Sequence, residues 1–148
     1  MQASALDWGD YDNDGDLDLF IADRLVKGGY LLINQAGTFE TVEINSEEAL
    51  SSIGTVLWVD YNQDGWLDLF FTAYGNPAGN IFYQNEGNGK LSAKDIGAFT
   101  KPMEYSQSAD WADYDNDGDL DLYIGQGEFS LAHGRNNHLF KNNNSLGF

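Results

Sequence analysis

The side chains best suited to chemistry in this chain are carboxylates, and they are concentrated in three nine-residue segments. The segments begin at Asp10, Asp60 and Asp113 and read DYDNDGDLD, DYNQDGWLD and DYDNDGDLD. Each has an oxygen-bearing side chain at positions 1, 3, 5 and 9 and a glycine at position 6. Carboxylates this close repel one another, and a bound cation removes the repulsion. The spacing therefore predicts three copies of one cation site.

Calcium fits this pattern best, because it takes about six to eight oxygen ligands from carboxylates, amides, backbone carbonyls and water. Glycine at position 6 permits the sharp turn that brings the side chains of positions 1, 3 and 5 together. Position 7 varies, so we expect its backbone carbonyl to be the ligand; these residues are Asp16, Trp66 and Asp119. The aspartate at position 9 would close the site. Magnesium prefers fewer protein carboxylates and keeps its waters.

Two other interpretations of the segments are weaker. An EF-hand requires a glutamate at position 12 and helices on both sides, but position 12 here is Ile21, Phe71 or Ile124. A dockerin-type site requires an acid at the same position. Acidic hairpin turns would explain the Asp, Asn and Gly content, but turns do not need carboxylates at alternate positions in every copy. Because β-forming residues follow each glycine, we predict calcium loops that join two strands.

The composition is that of one folded domain with a strongly negative surface. The chain has 148 residues, 42% hydrophobic and 14% aromatic, which argues against disorder. The net charge is −17, and the three segments hold five, three and five of the 24 acidic residues. Such a surface disfavours nucleic acids and anionic membranes as partners. The chain has no cysteine, which excludes disulfides, thiol nucleophiles and thiolate zinc sites.

The sequence also bears on location. No apolar run approaches the length of a membrane span, and residues 1–4 lack the features of a signal peptide. Calcium loops of modest affinity suit millimolar extracellular calcium. We therefore expect an extracellular or cell-surface protein whose signal lies outside this sequence.

The three segments lie in three repeats, residues 1–52, 53–107 and 108–148, which form a single domain. Each repeat is predicted to contain four strands: one that enters the loop, one that leaves it, a third and a fourth. The last repeat contains only the beginning of its fourth strand. The predicted strands are 5–9, 17–22, 30–34, 39–44, 55–59, 67–72, 80–85, 90–96, 109–112, 120–125 and 138–142. Repeats of this length with four short antiparallel strands predict an all-β fold built from propeller blades.

Other residues recur at fixed positions within the repeats. Aromatic side chains two residues before the loop and within the leaving strand are expected to pack between blades; these are Trp8, Trp58, Trp111, Phe20, Phe70 and Tyr123. An asparagine at the end of the third strand is expected to cap the following turn; these residues are Asn34, Asn85 and Asn142.

The pattern W-x-D-Y-D-N-D-G-D-L-D-L, followed by an L-F-x-N strand and a G-T-F turn, resembles the FG-GAP/VCBS repeats. These are the calcium-binding blades of integrin-α-like β-propellers and of many secreted bacterial proteins. The resemblance extends over all three repeats and implies about three Ca²⁺ per chain. The ligands that it implies are Asp10, Asp12, Asp14, Asp16, Asp18, Asp60, Asn62, Asp64, Trp66, Asp68, Asp113, Asp115, Asp117, Asp119 and Asp121. Asn62 in place of aspartate is expected to weaken the second site.

Propellers close with about four to eight blades, and this chain supplies three. Either the sequence is part of a longer propeller, or two chains close a six-bladed ring as a head-to-tail homodimer, with the first strand of each chain completing the last blade of the other.

The leading functional hypothesis is a non-enzymatic module that recognises an extracellular protein or carbohydrate, as in adhesion. The loops that vary between repeats, 23–29, 73–79 and 126–136, would contact the ligand; the candidate contact residues are Tyr74, Phe129, His133 and Arg135. An accessory domain of a secreted glycan-acting enzyme and a calcium-stabilised spacer are the alternatives. Catalysis by this chain is disfavoured, because no nucleophile–base pattern surrounds its unique polar residues His133, Arg135 and His138.

Overall fold

The protein is composed of three antiparallel sheets that follow one another along the chain. The computed structural model describes residues 2–23, 26, 28–45, 53–74, 79–100, 105–127 and 136–142. The first sheet has the order β1-β2-β3-β4, the second β5-β6-β7-β8 and the third β9-β10-β11. The prediction of an all-β fold with one sheet per repeat is confirmed. In the third repeat the expected turn, 143–147, and the expected start of a fourth strand at Phe148 lie outside the described ranges.

The strands are β1 (Ala3–Gly9), β2 (Asp18–Asp23), β3 (Gly28–Gln35), β4 (Thr38–Asn45), β5 (Ile53–Val59), β6 (Asp68–Ala73), β7 (Ile81–Asn85), β8 (Leu91–Ala93), β9 (Ser106–Ala112), β10 (Asp121–Gln126) and β11 (His138–Phe140). Every acidic segment joins the first and second strands of its sheet. The entering strands begin two or three residues earlier than predicted, and each leaving strand begins at the position-9 aspartate. In the second sheet the fourth strand is only three residues long.

The second sheet lies between the other two, because β5 packs against β1 on one side and against β9 on the other. One core fills the space between the first and second sheets and includes Phe20, Leu31 and Phe71. The other lies between the second and third sheets and includes Phe70, Phe82 and Leu122. Strand β6 is buried over its whole length, which explains why Leu69, Phe70 and Phe71 form an uninterrupted apolar run instead of alternating with polar residues.

A short 3₁₀ helix, Ala98–Thr100, lies in a segment that was predicted as an irregular connection. It places the fully buried Phe99 in the second core, where its ring meets those of Phe70 and Trp111 at 5.7 and 5.8 Å. The amide of Asn80 donates to the Phe99 carbonyl at 2.8 Å. A single aromatic residue in a polar connection forms no periodic pattern, so the sequence does not predict that this segment packs into the core.

The aromatic positions that were expected to pack between blades divide into two groups. Trp58, Trp111, Phe20 and Phe70 pack between neighbouring sheets as predicted. Trp8 and Tyr123 depart from this prediction within the described chain, where their exposed fractions are 49% and 47%. Both residues point away from the second sheet, and within the described ranges no further sheet covers the outer faces of the first and third sheets.

Among the residues that the structure describes, there is no helix with the length and apolar character needed to cross a bilayer.

Candidate metal centre

The position-1 aspartate organises each loop in the same way. Its Oδ1 atom accepts a hydrogen bond from the backbone N–H of position 5, at 3.1, 3.0 and 3.1 Å in the three loops. Its Oδ2 atom accepts from the N–H of the position-6 glycine, at 3.1, 2.9 and 3.0 Å. The position-5 carboxylate in turn accepts from the N–H of position 7. These bonds curl the backbone around the carboxylates.

Two backbone positions in each loop adopt left-handed conformations. The position-4 residues Asn13, Gln63 and Asn116 have φ values of 59°, 57° and 61°. The position-6 glycines have φ values of 94°, 88° and 95°. A Cβ atom at any of these glycines would meet nothing within 4 Å. Glycine is therefore required for its backbone conformation and not for space, as the sequence predicted.

The position-9 aspartate attaches the loop to the third strand of its sheet. In all three repeats its Oδ1 accepts from the backbone N–H of the recurring asparagine, Asn34, Asn85 or Asn142, at 2.8 Å. The asparagine side chain donates to the position-8 carbonyl at 3.2 or 3.3 Å. The expected turn capping is also present, since Oδ1 of Asn34 and Asn85 accepts from Gly37 and Gly87 at 2.8 and 3.0 Å.

Ligating oxygens converge in the first and third loops. In the first loop, carboxylate oxygens of Asp10, Asp12 and Asp18 all lie within 4.8 Å of one another. In the third loop, Asp113, Asp115 and Asp117 form the same kind of group. Each group contains three of the four side chains predicted at positions 1, 3, 5 and 9. Ligation by any of these residues, and by the position-7 carbonyls of Asp16, Trp66 and Asp119, stays a prediction.

In the second loop, the side-chain amide of Asn62 forms hydrogen bonds with a neighbouring residue of the same loop. Nδ2 of Asn62 donates to Oδ2 of Asp64 at 2.9 Å, and Oδ1 of Asn62 accepts from the Asp64 N–H at 3.1 Å. The loop therefore carries one negative charge fewer and one internal hydrogen bond more than a loop with aspartate at position 3. This is the structural counterpart of the weaker site that the sequence predicts.

Three buried carboxylate oxygens in the loops have no hydrogen-bond partner among the described residues: Oδ1 of Asp12, Oδ2 of Asp68 and Oδ1 of Asp115. A buried unpaired carboxylate oxygen is costly, and such groups are normally satisfied by protein, water or an ion. Burial raises the pKa of Asp12, with further increases from the charges of Asp18 and Asp14. Burial also raises the pKa of Asp68 to about 7. The donor set, hard oxygens with unfilled acceptor capacity, fits calcium.

Hydrogen bonds connect the loops to one another. Nδ2 of Asn13 donates to the carbonyl of Gly65 in the second loop at 2.8 Å. Nε2 of Gln63 donates to the carbonyl of Gly118 in the third loop. Each bond runs from position 4 of one loop to position 6 of the next, so the three loops form a row along one end of the sheets.

In the first two loops the side chain at position 7 contacts the turn between the third and fourth strands. Oδ2 of Asp16 accepts from the Ala36 N–H at 3.0 Å. Trp66 instead lies over Gly87, where an added Cβ would be 2.8 Å from the indole Nε1. With tryptophan in place of aspartate, the turn is therefore held by packing against the indole ring instead of by a hydrogen bond.

Comparison with protein families identifies the repeats. Residues 10–71 and 60–124 both match the model of the FG-GAP-like repeat. The chain belongs to the FG-GAP-like repeat family. Each matched segment begins at the position-1 aspartate of one loop and ends in the leaving strand of the next repeat, so the two FG-GAP-like matches together include all three loops. No curated protein matches the chain.

The predicted ligand-contact residues lie at the other end of the sheets or outside the described ranges. Tyr74 follows β6, and its ring meets that of Tyr105 at 5.1 Å. Phe129, His133 and Arg135 are not among the described residues. His138 stacks on Phe140 with ring centroids 5.9 Å apart, a packing role that the sequence did not indicate.

Proposed function

We propose that this chain is a calcium-binding, β-propeller-like repeat module with one Ca²⁺ in each acidic loop, used outside the cell for recognition of a protein or carbohydrate. The observation that carries the proposal is the common loop frame, in which backbone N–H groups orient some carboxylate oxygens while Asp12, Asp68 and Asp115 each keep one buried oxygen without a partner. When bound, calcium would supply positive charge and further ligand bonds at those oxygens.

Recognition is assigned to the end of the sheets opposite the loops. There the connections differ between repeats, whereas the calcium loops repeat almost unchanged. Variable connections on a rigid scaffold are the usual place for binding residues, and Tyr74 is the described residue best placed to contribute. We assign no catalytic role to the chain: 13 of its 24 acidic residues belong to the repeated loops, and His138 packs on Phe140.

Propeller-like assembly is supported by the likeness between the outer faces and the buried ones. Trp8 pairs with Leu19 across β1 and β2, as Trp58 pairs with Leu69 across β5 and β6. Trp58 packs against the first sheet. Trp8, in the same repeat position, meets the ring of Phe39 in its own sheet at 6.4 Å, and no further sheet is described beyond it. The outer face of the first sheet therefore has the form of a blade-to-blade interface.

The third sheet has a hydrogen-bond acceptor, Asp110, at the position that joins the first sheet to the second. Between the first two sheets, Oδ2 of Asp7 accepts from the Trp58 N–H at 2.9 Å, and the Asp7 carbonyl accepts from the indole Nε1 at 3.3 Å. Asp110 is the equivalent of Asp7, since each carboxylate also accepts from the N–H of the following tryptophan at 3.0 Å. We propose that further repeat sheets continue the stack, from a second copy of the chain or from further repeats.

Calcium titration followed by native mass spectrometry tests the proposal, with magnesium as the competing ion. Wild-type chain is expected to retain three Ca²⁺, and Asp12→Ala to retain two. Glu43→Ala removes an exposed acid of β4 outside the loops and is the matched control, with three ions expected. Absence of bound calcium at millimolar concentration, or equal loss in both variants, would contradict the metal function. Recognition is tested by Tyr74→Ala, which should weaken binding to an identified ligand without changing the number of ions.

A further inference from the structure

The third loop contains a cation supplied by its own chain. Nζ of Lys141 contacts Oδ2 of Asp115 and lies 3.2 Å from Oδ2 of Asp117. These residues occupy positions 3 and 5 of the loop, where calcium would also bind. A lysine side chain is an ammonium ion at neutral pH, so it brings a positive charge to these two carboxylates.

The register of the sheet explains why a lysine reaches this loop. Lys141 directly precedes Asn142, whose backbone N–H is bonded to the position-9 aspartate at 2.8 Å. Asn34 and Asn85 make the same bond in the other repeats, so the equivalents of Lys141 are Ile33 and Gln84. Both are neutral, and Ile33 packs against the first core.

The ammonium group satisfies the loop only in part. Oδ1 of Asp115 remains buried without a hydrogen-bond partner in the described part of the chain. The Lys141 side chain is 41% exposed, which leaves it a route back into solvent. An ammonium offers three donors to a loop whose oxygens could surround a divalent ion, so the lysine is an exchangeable occupant.

We propose that Lys141 competes with calcium for the third loop, so that this loop binds calcium more weakly than the first and needs the ion less to keep its shape. The inference rests on the proposed calcium function of the loops. The first loop is an internal reference because both loops have the sequence DYDNDGDLD. A unit positive charge near a divalent ion in a solvated site is expected to weaken binding about tenfold.

The experiment follows the backbone amide signals of Gly15, Gly65 and Gly118 by two-dimensional NMR during a calcium titration. Each amide is bonded to the position-1 carboxylate of its own loop and so reports the ion in that loop most directly. In wild type, Gly118 is expected to respond at about tenfold higher calcium than Gly15. In Lys141→Met the two should respond together. Gln84→Lys, which introduces the charge beside the second loop, should delay Gly65 and leave Gly15 unchanged.

Thermal unfolding in EDTA gives a readout that does not depend on bound calcium. Lys141→Met should lower the unfolding temperature in EDTA, because Asp115 and Asp117 lose their counter-ion, while it strengthens calcium binding. The inference is overturned if Gly118 and Gly15 respond together in wild type, or if Lys141→Met leaves the Gly118 midpoint unchanged. If no glycine amide responds in any variant, the proposed calcium function fails as well, and the two failures are thereby distinguished.

Discussion

The second loop differs from the other two at position 3, where it has an asparagine, Asn62, instead of an aspartate. The amide gives Asn62 a donor that bonds to Asp64 at 2.9 Å. The equivalent Asp12 and Asp115 each keep one buried oxygen without a described partner. At position 3, therefore, the second loop is better satisfied without an ion than the first, although Oδ2 of its Asp68 is also buried without a described partner. In the third loop Lys141 supplies part of the missing positive charge, so the first loop has the most to gain from an ion at this position.

Reciprocal substitutions at position 3 should move calcium affinity and ion-free stability in opposite directions. Asn62→Asp adds a charged ligand and should raise the calcium affinity of the second loop about tenfold, whereas Asp12→Asn should lower that of the first by a similar factor. In EDTA, Asn62→Asp should lower the free energy of unfolding by about 1 kcal/mol, because it removes a hydrogen bond and adds repulsion. Calcium titration and denaturant unfolding measure both quantities. Changes of the same sign in affinity and ion-free stability would contradict this account.

At the scale of elements, the recurring asparagine is the contact that holds each loop to its sheet. Asn85 is 1% exposed, and its amide also donates to the Tyr11 carbonyl in the first loop at 2.8 Å. Its counterpart Asn34 makes its side-chain bonds at the surface. One repeat position therefore has a structural role between sheets in the second repeat and only within the sheet in the first.

Asn85→Ala should cost about 2–4 kcal/mol of stability, because the Tyr11 and Leu67 carbonyls and the Gly87 N–H lose their partner in a buried setting. Asn34→Ala is the matched control and should cost less than about 1 kcal/mol, since water can replace its exposed bonds. Denaturant unfolding in calcium-containing buffer gives both values. Equal costs for the two variants would mean that the bond from Asn85 to the Tyr11 carbonyl contributes nothing to stability.

At the scale of the whole molecule, the two outer sheets determine what the chain can join. The first sheet exposes Leu6 and Trp8, with exposed fractions of 55% and 49%. The third sheet exposes Tyr114, Tyr123 and Leu139, with exposed fractions of 51%, 47% and 51%. Exposed apolar side chains grouped on one face are typical of interaction surfaces, in keeping with the proposed continuation of the stack.

The pair Trp58→Ala and Trp8→Ala tests that continuation. Trp58→Ala should cost about 3–5 kcal/mol, because it empties a site between two packed sheets. In a monomeric chain Trp8→Ala should cost less than about 1 kcal/mol. If a second copy covers Trp8, the substitution should instead dissociate the oligomer in sedimentation experiments, and Asp110→Ala should do the same. An oligomer that survives both substitutions would contradict the proposed interface.

The sequence by itself determined the loops, the order of strands in each sheet and the membership of the family. These features are local, because ligand spacing, the left-handed glycine and the alternation of strand residues each depend on neighbours a few positions apart. The asparagine caps were predictable for the same reason. The early starts of the entering strands and the helix around Phe99 were missed, because packing against another sheet set them and not local preference.

Only the tertiary structure decided which equivalent residues differ in their surroundings. Nothing in the repeat pattern distinguishes Trp8 from Trp58, because burial depends on whether another sheet lies beyond. Nothing near Asp115 in the chain indicates Lys141, which reaches the loop through the register of β10 and β11. The bonds from Asn13 to Gly65 and from Gln63 to Gly118 likewise require the sheets to be stacked. Contacts between distant segments follow from packing and register, which local spacing does not encode.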